Sequence, residues 1–160
     1  SFPIEQWKKE IDVGLTGAMI CSKIFGSEMA DKKGGVILNI SSDLGLISPD
    51  QRLYRNEKLS DINQPVKPAT YSVIKHGLNG LTKYLATYWA KKNIRVNSFS
   101  PGGMYNNQNT EFLNRISKLI PLERMSKKDE YKGAILFLIS DASSYMTGAN
   151  LVVDGGRTCW

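Results

Sequence analysis

A chain of 160 residues with 41% hydrophobic residues and a net charge of +6 is long enough for one domain with its own core and excludes a disordered or low-complexity polymer. No apolar run approaches the ~20 residues that a membrane-spanning helix needs. Cys21 and Cys159 lie far apart with no His or Cys at ligand spacing, which excludes a structural zinc site and argues against a disulfide framework.

The lysines fall in pairs along the chain, such as Lys8 and Lys9, Lys91 and Lys92, and Lys127 and Lys128. They read as a solvated basic surface, not a nucleic-acid patch, with an anionic small ligand as the milder alternative. The chain opens on Ser1 with no basic-then-apolar leader. The expectation is a cytoplasmic protein whose upstream sequence is missing.

In chain order, the first element is a long helix. Ile4, Trp7, Ile11, Leu15, Ala18 and Ile24 recur at near-helical steps until Gly34 and Gly35 stop it. "GVILNISS" follows, and its continuous Val36-Ile37-Leu38 run suits a strand buried on both faces. Residues 48–70 are polar and hold Pro49, Pro65 and Pro68, an excursion of a length expected to be ordered against something and functional. A second helix runs from Tyr71 to Lys92, with Tyr71, Ile74, Leu78, Leu81, Leu85 and Tyr88 as its apolar stripe. "IRVNSFS" is a strand broken by Pro101-Gly102-Gly103. A short helix is expected at 110–118, and another after Ser126, which serves as N-cap with Asp129 completing a capping box. "NLVVDGG" closes the chain as a strand. Three strands alternating with helices predict an α/β fold with a parallel sheet, as one domain without a linker.

"YSVIK" places Tyr71 and Lys75 four apart, on one helical face. An ammonium ~6 Å from a phenolate at an effective dielectric of ~20 stabilises it by about 3 kcal/mol, so a shielded pair of this kind can give or take a proton. "NISSDLG" ends the first strand in two hydroxyls, and "NSFSPGGMYN" ends the next in a Pro-Gly-Gly turn. In parallel α/β sheets, ligands bind beyond the carboxyl ends of the strands. All three pieces converge on that edge.

"NISSDLG", "YSVIK", "RVNSFSPGG" and "TGANLVVDGG", in this order, resemble the C-terminal portion of a short-chain dehydrogenase/reductase, over nearly the whole chain. The resemblance implies that residues 1–160 are a single, incomplete Rossmann-type domain, lacking the opening dinucleotide-binding strands. It implies that Ser42 orients the reacting oxygen, Tyr71 is the general acid/base, and Lys75 supports Tyr71 and the nicotinamide ribose. Pro101, Gly102 and Gly103 would border the nicotinamide, with Asn106 where the family often has threonine. The implied cofactor is NAD or NADP, the substrate a small alcohol or ketone such as a sugar or sugar nucleotide, and the assembly a homodimer or homotetramer through the two long helices. No nucleic acid and no membrane are expected as partners.

The sequence departs from the family in three places. No G-x-G-x-x-G turn follows any strand, "GLTGAM" lying inside a helix, so this chain alone is expected to be inactive. Gly14 falls where the family usually carries a relay asparagine; it is either a loss of that relay or a close helix contact. Ser42 and Tyr71 are 29 apart, about twice the family's separation, and the additional segment carries Arg52, Arg55 and Lys67, which could meet an anionic substrate. This extended form most resembles members of surface-polysaccharide or flagellin-glycan biosynthesis. The segment's alternative role is contact with a partner subunit.

Other residues carry less. His76, the single histidine, points away from the tyrosine face. Trp7, Trp89 and Trp160 read as packing residues, Cys21 as a small buried hydrophobe, and Asp141 and Asp154 as caps or turns. A serine hydrolase would need a G-x-S-x-G elbow, which is absent. A non-catalytic scaffold on the same fold stays open, favoured by Gly14 and the missing cofactor half.

Overall fold

The computed structural model describes residues 2–160. The first helical stretch is α1 (Ile4–Ile11), a π-helical turn (Asp12–Thr16) and α2 (Gly17–Ala30), so the expected single helix is interrupted around Gly14. Gly34 ends it at φ +90°, and a Cβ there would sit 2.2 Å from the Asn93 carbonyl oxygen; only glycine turns the chain here.

β1 (Gly35–Ile40) leads through the polar excursion, which holds two 3₁₀ turns (Gln51–Tyr54 and Asp61–Asn63), into α3 (Ala69–Trp89). β2 (Ile94–Pro101), α4 (Thr110–Ser117), α5 (Lys132–Ile139) and β3 (Asn150–Val153) complete the order. The three strands are parallel in the order β1-β2-β3, with Gly35 opposite Ile94 and Ser98 opposite Asn150. The expected α/β fold, a parallel sheet with flanking helices, is the fold observed.

One core cluster joins Leu85, Ala86 and Trp89 of α3 to Ile94 and Val96 of β2, with Met29, Ala30 and Ile37 packed around them. Strand alternation turns Arg95 to the other face, where its guanidinium donates to the carbonyls of Leu138 and Ser140 at the end of α5. The buried Asn97 side chain donates to the Met146 carbonyl at 2.8 Å and accepts from the Ala149 N–H at 3.0 Å. Those bonds fix the loop that delivers β3.

A second cluster explains the excursion. Leu53 packs with Ile116 and Ile120, flanked by Tyr54 and Phe112, whose rings lie 6.0 Å apart. Arg115 of α4 donates to the backbone carbonyls of Arg52 and Arg55. The segment is thus ordered against α4, at the carboxyl edge of the sheet.

Several expectations are corrected. The α3 stripe is rotated by one residue at its end: Tyr88 is 64% exposed and Trp89 7%, because the indole fills the space left by Gly26 of α2. Cys21 is exposed and its neighbour Ser22 is the buried residue. Trp160 is 75% exposed and its indole N–H donates to the Leu119 carbonyl. Ser126 does not cap the last helix; the backbone N–H of Lys127 donates to Glu130 at 2.7 Å, so the capping carboxylate is Glu130 and not Asp129. Asp154 is the turn residue expected, accepting from the N–H groups of Gly156 and Thr158.

Among the described residues no helix is long and apolar enough to cross a membrane, and no cluster of three His, Cys, Asp or Glu could hold a metal ion.

Candidate active site

The site forms where β1 ends. Three hydrogen bonds tie this end of β1 and the turn after it to the side of α3. Ser41 Oγ donates to the Lys75 carbonyl at 2.8 Å, Lys75 Nζ to the Ile40 carbonyl at 2.8 Å, and Asn79 Nδ2 to the Gly45 carbonyl at 3.0 Å. Gly45 permits this approach, since a Cβ there would meet the Lys75 carbonyl oxygen at 2.8 Å. The register of α3 against the serine pair is therefore fixed by side chains of both segments bonded to backbone carbonyls of the other.

Ser42 is buried and extended, and caps the 3₁₀ turn Asp43–Gly45. Its hydroxyl donates to Asp43 Oδ1 at 2.7 Å and its oxygen accepts from the Leu44 N–H at 3.2 Å. Asp43 Oδ2 accepts from the guanidinium of Arg157 at 2.7 Å, and both of those side chains are buried.

Tyr71 stands in the first turn of α3, half-buried. The Lys67 ammonium lies 3.8 Å above its ring and the Lys75 ammonium 5.6 Å from the ring centre. Burial holds both ammonium groups below the usual lysine range, and for Lys75 the charge of Lys67 adds to the effect.

Ser42, Tyr71, Pro101, Gly102 and Gly103 line one cavity of about 200 Å³, together with Asp43, Lys67 and Arg157. The bare glycine backbone forms its floor. A Cβ on Gly102 would press on Asp154 at 2.9 Å, and one on Gly103 on the Met125 methyl at 2.8 Å. The Tyr131 hydroxyl holds the floor by donating to the Gly102 carbonyl at 2.7 Å. Tyr71 also borders a wider cleft of about 520 Å³ beside Glu10, Gly14 and Ile74.

Two expected site residues do not reach the cavity wall. Lys75 sits behind Tyr71, bonded to Ile40. Asn106 is exposed on the following loop, where its backbone N–H donates to the Gln108 side chain. Of Arg52, Arg55 and Lys67, Arg52 is paired with Asp50 at 2.7 Å and Arg55 with Asp61 at 3.2 Å; Lys67 alone lines the cavity. At Gly14 an added Cβ would lie 2.8 Å from Ile74 Cδ1, so an isoleucine on α3 takes the room that a longer residue would need. His76 is exposed, its ring nitrogen against the Ser72 carbonyl. Asp43 and Arg157 were missed from sequence: they are 114 residues apart, and no local spacing joins them.

A family model described as enoyl-(acyl carrier protein) reductase matches residues 1–158. The NADH-dependent L-xylulose reductase of Ambrosiozyma monospora is 38% identical over 169 residues, covering 99% of this chain and 57% of that protein. The post-translational flagellin modification protein A of Campylobacter coli is 34% identical over 152 residues, covering 95% of this chain and 57% of that protein. A solved short chain dehydrogenase from Leptospira borgpetersenii, with bound NAD+, aligns with a TM-score of 0.88 at 35% identity, covering 99% of this chain and 58% of that one. The chain spans a little over half the length of the relatives it matches. Matched along almost its entire sequence, and carrying the fold of a dehydrogenase to which it is 35% identical, the chain belongs to the short-chain dehydrogenase/reductase family.

Proposed function

We propose that this chain is the substrate-side part of a nicotinamide-dependent oxidoreductase acting at an alcohol or carbonyl carbon of a small sugar-like molecule. The observation that carries the reading is the cavity itself: Ser42 and Tyr71 line one space of about 200 Å³, floored by bare glycine backbone, with two ammonium groups beside the phenol ring. That flat floor at Pro101–Gly103 suits a planar ring, and these residues with Lys75 would hold NAD or NADP. When bound, the cofactor supplies or accepts a hydride at the carbon bearing the oxygen.

The remaining chemistry belongs to this chain. In oxidation Tyr71 takes the hydroxyl proton; in reduction it returns a proton to the oxygen. Lys75, held in place by the Ile40 carbonyl, stabilises the phenolate between those events. Ser42 orients the substrate. With its proton committed to Asp43, its oxygen is left to accept from a substrate hydroxyl.

The domain is read as an incomplete Rossmann-type unit. In support, among the described residues β1 pairs on one edge only, and the relatives are longer. The outer faces of α2 and α3 expose Met19, Ile20, Ile24, Phe25, Tyr84 and Tyr88, which supports a homo-oligomer through these helices. A role in surface-glycan or flagellin-glycan synthesis is a second reading, favoured by the flagellin modification relative. The L-xylulose reductase supports the simpler sugar or polyol substrate.

The test is nicotinamide-dependent turnover of sugars and polyols by the full-length protein. Tyr71→Phe is expected to lower kcat by about 10²–10⁴-fold, the usual contribution of a positioned acid/base, with KM little changed. A variant that keeps a tenth or more of the turnover would overturn the assignment of Tyr71, and a full-length protein without such turnover would favour the scaffold reading.

A further inference from the structure

The cavity is charged in a way the proton transfer does not use. Three ionised groups stand on its wall: Lys67, Arg157 and Asp43. Asp43 satisfies Arg157 through one nitrogen only, at 2.7 Å. The other guanidinium nitrogens make no hydrogen bond among the described residues, and they are not sealed from solvent. Lys67 has no carboxylate partner among the described residues. Its ammonium rests on the face of the Tyr71 ring. One cation on the wall is therefore uncompensated, in a half-buried setting where its own hydration is reduced.

Lys67 is also built into position. The Gln51 side chain grips its backbone from both sides, accepting from the Lys67 N–H at 2.9 Å and donating to the Lys67 carbonyl at 3.3 Å. Pro68 then begins α3. The excursion, anchored through Leu53 on α4, thus holds this cation over the cavity, while its two arginines are paired with neighbouring aspartates. A partly desolvated ammonium on the same cavity wall as a guanidinium with free donors is a receptor for a carboxylate. The cavity of about 200 Å³ is smaller than the ~300–1,000 Å³ of pockets for drug-sized ligands, and suits one short carbon skeleton.

We infer that Lys67 and Arg157 form a carboxylate subsite, and that the substrate is a polyhydroxy acid of sugar size instead of a neutral polyol. The inference rests on the oxidoreductase reading of the same cavity. It assigns Lys67 to binding, as a specificity-determining residue; the proton stays with Tyr71.

The test uses the full-length protein with its nicotinamide cofactor and matched pairs of probes, gluconate against glucitol and the four- and five-carbon aldonates against their alditols. Wild type is expected to favour the acids in kcat/KM. Lys67→Met is expected to lower kcat/KM for the acids through KM about 10–100-fold more than for the alditols, the loss of one charged hydrogen bond. Lys67→Arg should recover most of the loss, separating charge from packing. Calorimetric binding of gluconate should weaken in parallel in Lys67→Met, which reads the subsite without turnover. A wild type that prefers alditols, or equal losses for both classes, overturns the carboxylate subsite and leaves the oxidoreductase reading standing. Absence of turnover with every probe, unchanged by Tyr71→Phe, overturns both.

Discussion

Arg157→Leu is the sharpest probe of how the cavity is held together. The Arg157 and Asp43 side chains are 8% and 4% exposed and meet at 2.7 Å, so the bridge itself is largely shielded from water while the outer guanidinium nitrogens reach the cavity. Unit charges ~4 Å apart at an effective dielectric of ~20 attract by about 4 kcal/mol. Removing one member of a buried pair usually costs about 3–5 kcal/mol, because the survivor stays buried and uncompensated. Here the survivor would be Asp43, which keeps its bonds from the Ser42 hydroxyl and the Leu44 N–H. Those two bonds place the expected loss near ~4 kcal/mol, not above it, equivalent to a fall in Tm of about 8–16 °C for a chain of this size. Denaturant unfolding of wild type, Arg157→Leu, Asp43→Leu and the double variant measures it. The double variant should be more stable than either single one, since no charge is then left alone. A loss under about 1 kcal/mol in Arg157→Leu, the value of an exposed pair, would refute the view that this bridge is a closed part of the cavity wall.

Two further outcomes follow from packing and charge. Gly26→Ala gains about 1 kcal/mol of helix propensity, yet its Cβ would stand 2.2 Å from the Trp89 ring; overpacking against a rigid buried indole costs about 3 kcal/mol, so denaturant unfolding should show a net loss of ~2 kcal/mol, and a stabilised variant would show that the α2–α3 contact is looser than described. Glu130 is held down to about 2 from 4.5, first by the Arg124 guanidinium and then by the Lys127 N–H. A depressed carboxyl contributes stability above the ordinary value of 4.5 that is lost as pH falls towards about 2. In Arg124→Gln the Glu130 carboxyl, followed by NMR, should titrate closer to the ordinary value, and the difference should shrink in high salt; an unchanged titration would mean the pair does not persist in solution.

What the sequence revealed and what it hid divide along a physical line. Element order was legible because strands and helices announce themselves within a dozen residues, through runs such as Val36-Ile37-Leu38 and stops such as Gly34-Gly35. Tyr71 and Lys75 were legible because a helix fixes the separation of residues four apart. The rotation of α3 was not. Tyr88 and Trp89 are adjacent and both aromatic, and the choice between them is made across the gap, where Gly26 leaves a hole that the indole fills. Cys21 and Ser22 were misjudged in the same way, from local hydrophobicity without knowledge of the facing surface. The charges of the excursion were partly decidable. Asp50 stands two residues before Arg52 and Asp61 six after Arg55, near enough in sequence to count as partners. Lys67 stands six residues from its nearest acid, the same Asp61. Spacing alone therefore does not say which cation Asp61 pairs with, and the position of Lys67 over Tyr71 depends on Gln51, a neutral amide that charge counting ignores. Arg157 was out of reach altogether, because its partner is 114 residues away and the two meet only once β1 and β3 share a sheet. The charged wall of this cavity is thus set by contacts between distant segments, whereas the Tyr71–Lys75 spacing is set within one helical turn.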